Sequence, residues 1–329
     1  MEIINKKNVW LIIAHSVDKE EYDLFKQQFI KAKKNLDDNT EMYIIHIYSK
    51  KICRIYHLTK HDDNFTKDKF KCDKYTYQGT MRQKKWLGDM RKYVVKLAQE
   101  TNSDIIGILY YGHGGGGVLG SYSDVLMGFS TFVEIFVVDI KPRILFLDSC
   151  YLGSITSLYE LAPYVKYVVG SPAWHAYKSL TSIKLFGKLP SKNNDNDVFK
   201  KYIRNIVCIY NDFKDLPQYA CSLAFDLTNM DTIVSKIKKL YLTTENKIKI
   251  HKKDTTYNEK DTYELEKAVE KNIKKDIQSI VISTNNCKKN CPKTIQGISI
   301  YDVKKGDVWQ SYFKKTRWGK MIKNIEIIR

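Results

Sequence analysis

The sequence predicts an α/β fold with a mostly parallel sheet, and three observations predict it. The first is a set of short apolar runs: Val9 to Ala14, Ile105 to Tyr111, Arg143 to Leu147 (apolar after its first residue) and Val165 to Val169. They lack polar alternation, as strands buried on both faces of a parallel sheet do. The second is the helical spacing between them, the rhythm of strand–helix–strand crossovers. The third is that two runs end in a reactive side chain. Ile105 to Tyr111 closes on Gly112, His113 and Gly114, and Arg143 to Leu147 closes on Asp148, Ser149 and Cys150. In open α/β sheets, sites form beyond the carboxyl ends of the strands. His113 and Cys150 are therefore expected to face one crevice, the pairing needed for a thiol nucleophile with an imidazole base.

Taken in order, Val9 to Ala14 opens the sheet. Asp18 with Glu21 reads as a capping box, and Tyr22, Phe25 and Phe29 form a helical stripe after it. Met42 to Tyr48 and Lys51 to Leu58 read as a hairpin turning at Ser49 and Lys50. His57 to His61 reads as a loop, its histidines lacking partners at metal spacing, and Asp62 to Tyr77 is polar. Gly88 to Glu100 predicts an amphipathic helix burying Met90, Val94 and Leu97. Ser130 to Val138 is apolar enough for a helix or a strand. A helix is expected over Ser154 to Leu161, broken by Pro163, before the strand that ends at Gly170, Ser171 and Pro172. Ser191 to Asp197 reads as a linker, which divides the chain into a core, residues 1–190, and a C-terminal region, residues 191–329, that completes or packs on it. That region holds amphipathic segments at Val198 to Tyr210 and Ile233 to Leu240, and a Lys/Glu-rich helix over Thr262 to Ile280 with Leu265, Val269, Ile273 and Ile277 as its stripe. Ile298 to Tyr301 reads as a strand and Trp309 to Ile325 as a closing helix.

Composition bounds the function. With 329 residues, 43% of them hydrophobic, the chain can bury a sizeable core, which excludes whole-chain disorder. The formal charge of +18 invites a nucleic-acid reading, but only seven of the 55 basic residues are arginine, the side chain suited to bidentate phosphate contacts. A lysine-rich solvated surface accounts for the charge, and no nucleic-acid partner is expected. Seven cysteines without framework spacing point to a reducing compartment. Cys287 and Cys291 lack a second Cys/His pair at zinc spacing, so no metal is expected there. The Val9 to Ala14 run is too short for a signal-peptide core, and no run reaches the roughly 18 apolar residues of a membrane span. The expectation is a cytoplasmic monomer that does not engage a membrane.

The chemistry follows from the residue types. Only the thiolate attacks, so Cys150 needs help to lose its proton; a helix starting just after it would supply a positive dipole end. His113 can act as base and then protonate the leaving amine. Gly114 to Gly117 let the backbone approach the reacting carbonyl, and the N–H groups of Gly114 and Cys150 are candidate oxyanion donors. Asp148, two residues before Cys150, is expected on the same side of an extended strand, where its carboxylate could receive a Lys or Arg of the substrate. A serine-esterase reading of the His-Gly run requires a Gly-x-Ser-x-Gly elbow; Gly128 to Phe132 lacks the final glycine.

Tyr111 to Gly115 followed by Leu147 to Cys150 resembles the His-Gly and Asp-x-Cys motifs of clan CD cysteine peptidases, which include caspases, metacaspases, gingipains and clostripain. The finer resemblance is to the clostripain-like family, through Cys150 to Gly153, Leu158 to Leu161, Tyr164 to Ser171, Leu87 to Met90, Ser222 to Leu227, Gly297 to Tyr301 and Thr316 to Trp318. The resemblance implies a caspase-like three-layer α/β/α sandwich with C-terminal elements packed on it. It implies a Cys150–His113 dyad, Asp148 as the source of preference for Lys or Arg at P1, and Ser171 and Trp174 on the loop lining that pocket. The substrate would be a protein or peptide with a basic P1 residue. Some relatives require calcium, for which no acidic ligands can be placed here. Two departures stand out: Pro172 and Ala173 occupy the place of an acidic pair usual in the family, and only 37 positions separate His113 from Cys150. Lys141 is the only basic residue between the motifs before Arg143, so self-cleavage there is not expected. The competing expectation is an idle homologue that binds an acidic partner through its basic surface.

Overall fold

The computed structural model describes residues 8–16, 36–48, 52–61, 69–71, 81–100, 105–115, 117–120, 127–172, 196–211, 222–251, 262–282, 297–301, 310–322 and 325–328, with single helical positions between 23 and 34. The first strand, β1 (Asn8–Ser16), pairs in parallel with β2 (Thr40–Tyr48), which turns back antiparallel onto β3 (Ile52–Leu58) and then β4 (Lys69–Lys71). Helix α1 (Met81–Glu100) returns the chain to the other side of β1, where β5 (Ile105–Tyr111) pairs in parallel. A small three-stranded sheet follows, β6 (Gly114–Gly115), β7 (Val118–Leu119) and β8 (Met127–Gly128), leading into α2 (Phe129–Phe136). Next come β9 (Ile144–Asp148), α3 (Ile155–Leu161) and β10 (Tyr167–Gly170), with β9 parallel to both β5 and β10. Helix α4 (Asn196–Asn211) then leads to β11 (Leu223–Asp226), which closes the sheet antiparallel to β10. The strand order is β11-β10-β9-β5-β1-β2-β3-β4, a mixed sheet whose central strands are parallel.

Strand alternation sorts the core into two layers. On one face Leu11, Ile13, Ile108, Tyr110, Leu145, Leu147 and Val168 pack with Met90 and Val94 of α1, the phenylalanines of α2, and Ile155 and Leu158 of α3. On the other, Trp10, Ile12, Leu109, Phe146 and Val169 pack with Phe25 and Phe29 and with Phe199 and Ile203 of α4. Helices on both faces make this the expected α/β/α sandwich. Gly107 has a specific part in it: an added Cβ would stand 2.4 Å from the Trp10 ring, so its bare backbone lets that indole lie on the sheet.

Beyond β11 the chain keeps adding to the first layer. Helix α5 (Met230–Thr243), β12 (Ile248–His251), β13 (Thr262–Glu264), α6 (Lys271–Ile280), β14 (Ser299–Tyr301), α7 (Gln310–Phe313), α8 (Arg317–Met321) and β15 (Ile325–Ile328) follow. Ile233, Ile277, Ile300 and Trp318 all belong to that layer, and β11 is an edge strand of the main sheet, so the described residues on either side of position 190 share one hydrophobic core. Arg317 ties α8 to α3: its backbone N–H donates to Glu160 at 2.6 Å, its guanidinium donates to the Tyr159 carbonyl at 2.7 Å, and it stacks on the Tyr159 ring.

Four expectations are corrected. The segment Thr262 to Ile280 is not one helix: Thr262–Glu264 pairs antiparallel with Ser299–Tyr301, and the helix begins only at Lys271. The closing helix is two short ones, because Thr316 caps α8 with its side chain and Gly319 lies so close to the Phe313 carbonyl that a straight helix has no room. Helix α1 starts at Met81 and runs through Gly88. His57 is not in a loop; it sits in β3 opposite Tyr43, stacked on that ring and bonded to Glu41 at 3.0 Å.

Candidate active site

In the parallel register of β5 and β9, Tyr110 lies opposite Leu147 and Tyr111 opposite Asp148. The Gly112 N–H donates to the Asp148 carbonyl at 3.3 Å, extending the ladder by one step. His113 and Cys150 each stand two residues beyond the register pair Tyr111–Asp148, so they leave neighbouring strand ends. His113 is exposed and Cys150 is half-buried.

The loop after β5 is a tight hairpin. Gly117 (φ +84°) and Gly120 (φ +98°) take left-handed backbone angles that residues with a Cβ resist. The His113 carbonyl accepts hydrogen bonds from the Gly120 N–H at 2.9 Å and from the Tyr110 hydroxyl at 3.0 Å. This hairpin lies directly on the cysteine loop. A Cβ on Gly114 would meet the Ser149 Oγ at 2.4 Å, and one on Gly115 would meet the Tyr151 ring at 3.5 Å.

The loop after β9 is shorter. Asp148 and Ser149 are buried, and the Ser149 Oγ has no hydrogen-bond partner among the described residues. Tyr151 takes a positive φ of 58°, an arrangement worth roughly 1–2 kcal/mol of strain for a residue with a Cβ. The Gly153 N–H donates to the Ser171 carbonyl at 2.7 Å, Ser299 of β14 donates to the Gly153 carbonyl at 3.4 Å, and Ser154 bridges to Ser299. Ser154 caps α3 by accepting from the Ser157 N–H.

Two local expectations fall here. The extended strand ends at Asp148, and the chain bends at Ser149 before Cys150, so strand alternation does not set the relation of Asp148 to Cys150. Helix α3 begins at Ile155, with its cap at Ser154, and a dipole effect confined to the first turn does not start at Cys150. Ser171 follows β10, the strand next to β9, and its side chain is fully buried at 0% exposure. Trp174 and Ala173 lie outside the described residues. Among the described residues no group of three or more His, Cys, Asp or Glu side chains stands together as metal ligands would. Sequence reading missed Tyr110, Ser149 and Ser299. Tyr110 looked like one more apolar strand residue, and Ser299 acts on the site only through a pairing far along the chain.

The sequence profile of the clostripain family matches residues 125–317, from just before α2 to the start of α8. The chain belongs to the clostripain family. It is therefore a cysteine-type peptidase, a hydrolase of peptide bonds. The matched span contains Asp148, Cys150 and Ser171; His113 precedes it. No curated protein matches the chain. Among solved structures, a secreted C11 cysteine protease from Bacteroides thetaiotaomicron, in complex with an irreversible peptide inhibitor, superposes with a TM-score of 0.66 at 11% identity, over 94% of this chain and 97% of that one. An inactive zymogen C11 protease from Parabacteroides distasonis gives 0.61 at 14% identity, over 96% and 98%. At these identities the likeness shows the α/β fold of these C11 proteases and nothing finer.

Proposed function

We propose that this clostripain-family member is an endopeptidase cutting after Lys or Arg, with Cys150 as nucleophile and His113 as general base. The thiol proton passes to the imidazole as the sulfur adds to the scissile carbonyl carbon, and the carbonyl electron pair moves onto oxygen. The N–H groups of Gly114 and Cys150 receive that oxyanion. Collapse breaks the C–N bond, and His113 gives its proton to the departing amine. Water, deprotonated by His113, then adds to the thioester; collapse releases the carboxylic acid and restores the thiol.

The observation that carries this reading is the Tyr111–Asp148 register, which brings the His113 and Cys150 loops onto one another at adjacent strand ends. Asp148, buried at the end of β9, supplies the carboxylate that pairs with a basic P1 side chain. Ser171 and Trp174 are proposed as further residues of that pocket. The two basic positions between the motifs are poor sites for a self-cut: Lys141 is followed by Pro142, and Arg143 is held over the Phe199 ring with its carbonyl accepting from the Tyr167 N–H. The reading keeps the enzyme monomeric and cytoplasmic, on cysteine usage that lacks disulfide-framework spacing.

The test uses protein whose intact mass shows an uncut chain. A Lys- or Arg-directed acyloxymethyl ketone is expected to label Cys150, located by mass spectrometry, and Cys150→Ala is expected to abolish cleavage of a Lys/Arg reporter peptide. Full cleavage by Cys150→Ala would rule the mechanism out. Salt-sensitive binding of an acidic protein with no turnover of any basic peptide would mark an idle homologue instead.

A further inference from the structure

A tyrosine inside a strand core is a choice that phenylalanine could replace, unless its hydroxyl has a partner. Tyr110 is fully buried, its ring set edge-on to Phe132 of α2 at 5.4 Å between centroids. Burying a hydroxyl is unfavourable without a hydrogen bond. The bond it makes is to the carbonyl of His113, three residues ahead, at 3.0 Å. The hydroxyl is thus fixed by the core, while the carbonyl it holds belongs to a surface hairpin. The same carbonyl accepts from the Gly120 N–H across the hairpin at 2.9 Å. That bond makes Gly114 and Leu119 a non-hydrogen-bonded pair of the β6–β7 ladder, leaving the Gly114 N–H outside the ladder.

A trans peptide is planar, so its C=O and N–H point in opposite directions. The His113 carbonyl and the Gly114 N–H are the two ends of one peptide unit. Holding the oxygen toward Tyr110 and Gly120 therefore aims the Gly114 N–H the other way. The bare Gly112 lies against the ring tip, since a Cβ there would stand 2.8 Å from the tyrosine hydroxyl.

We propose that Tyr110 is the positioning residue of the site, its hydroxyl locking the His113–Gly114 peptide so that the imidazole and the Gly114 oxyanion donor are presented together. This rests on the dyad reading given above. Without the hydroxyl, a core-anchored restraint on that peptide is gone and the donor loses its aim. The defect belongs to the transition state, where charge develops on the oxygen, rather than to substrate binding.

The test compares Tyr110→Phe with the parent protein on a Lys/Arg reporter peptide and on the matching peptide aldehyde, whose thiohemiacetal with Cys150 mimics the tetrahedral intermediate. In Tyr110→Phe, kcat is expected to fall roughly 10- to 100-fold, with KM within about two-fold and aldehyde affinity weakened in proportion to kcat. Phe132→Leu, which loosens the ring's packing and leaves the hydroxyl in place, is expected to lower the melting temperature while preserving kcat and aldehyde affinity to within a few-fold. The proposal is overturned if Tyr110→Phe keeps parental kcat, if its kcat loss is not matched by aldehyde affinity, or if Phe132→Leu reproduces its defect. A parent protein that cleaves no reporter, or a His113→Ala protein that cleaves it fully, would strike the dyad reading instead.

Discussion

The loop after β5 uses its glycines to build a hairpin that keeps His113 at the surface, whereas the loop after β9 reaches its helix cap within six residues and is buried along most of its length. Backbone hydrogen bonds hold the first, through the doubly bonded His113 carbonyl and the β6–β7 pairing. The second adds close packing to its backbone hydrogen bonds, with backbone pressed against backbone at Gly153 and Ser171. A loop held by hydrogen bonds can shift by tenths of an ångström and lose chemistry while the fold survives. One held by packing has no such slack, so its lesions register as lost stability first.

The sharpest way to break this contrast is at Gly153. An added Cβ would stand 2.7 Å from the Pro172 nitrogen and 2.8 Å from the Ser171 carbonyl carbon, neither of which can rotate away. Gly153→Ala is expected to destabilise by about 3 kcal/mol in urea unfolding. A change below about 0.5 kcal/mol would mean the cysteine loop is as adaptable as the other.

Gly114→Ala probes the hairpin side. Its Cβ meets a side-chain atom, the Ser149 Oγ, at 2.4 Å rather than backbone. The expectation is a stability loss of about 1–2 kcal/mol with reporter cleavage down roughly 100-fold. Ser149→Ala alone removes a buried hydroxyl without a partner and is expected to be neutral or stabilising by up to about 1 kcal/mol. Combined with Gly114→Ala it should restore most of the stability, and the recovery of cleavage then measures how far the two loops communicate through that contact.

The smallest effect serves as the reference, at a sheet edge remote in sequence from both loops. Asp226 at the end of β11 pairs with Lys200 of α4 at 2.9 Å. Burial pushes its carboxyl upward, but hydrogen bonds from Thr228 and Lys200 outweigh this and hold it below the usual carboxylate range. The hydrogen bond to Asp226 in turn raises Lys200. A lowered folded-state carboxyl contributes stability that is complete above the ordinary Asp value and disappears as pH falls through the folded one. The raised lysine contributes at all pH below its ordinary value and loses that share only as pH rises beyond it. Asp226→Asn should therefore be less stable than the parent by about 0.5–1 kcal/mol at pH 7, with the gap closing below about pH 4 and cleavage unaltered. Thermal melts across that range check it.

How far the sequence could be read follows from how local each signal was. The strands at Val9, Ile105, Ile144 and Tyr167 were legible because residues buried on both faces leave unbroken apolar runs. The stripe of Met90, Val94 and Leu97 was legible because one helix face enters the core. The motif residues His113 and Cys150 were legible for the same reason, as abrupt ends of such runs. What escaped depends on distant partners or on very short elements. Thr262–Glu264 became a strand only through pairing with Ser299–Tyr301, which a helical stripe at Leu265, Ile273 and Ile277 had masked. The two-residue strands β6, β7 and β8 are shorter than any period. The helix dipole at Cys150 was misjudged because the chain completes a turn, with Tyr151 at positive φ, before it can start α3.

The bond from Ser299 to the Gly153 carbonyl joins the Cys150 loop to a strand made nearly 150 residues later. A ribosome that has released His113 and Cys150 still holds back the residues that brace the cysteine turn, along with Phe313 and Thr316, which pack against Gly117 of the histidine hairpin. During translation the segment that carries His113 and Cys150 thus emerges well before the residues that brace its two turns.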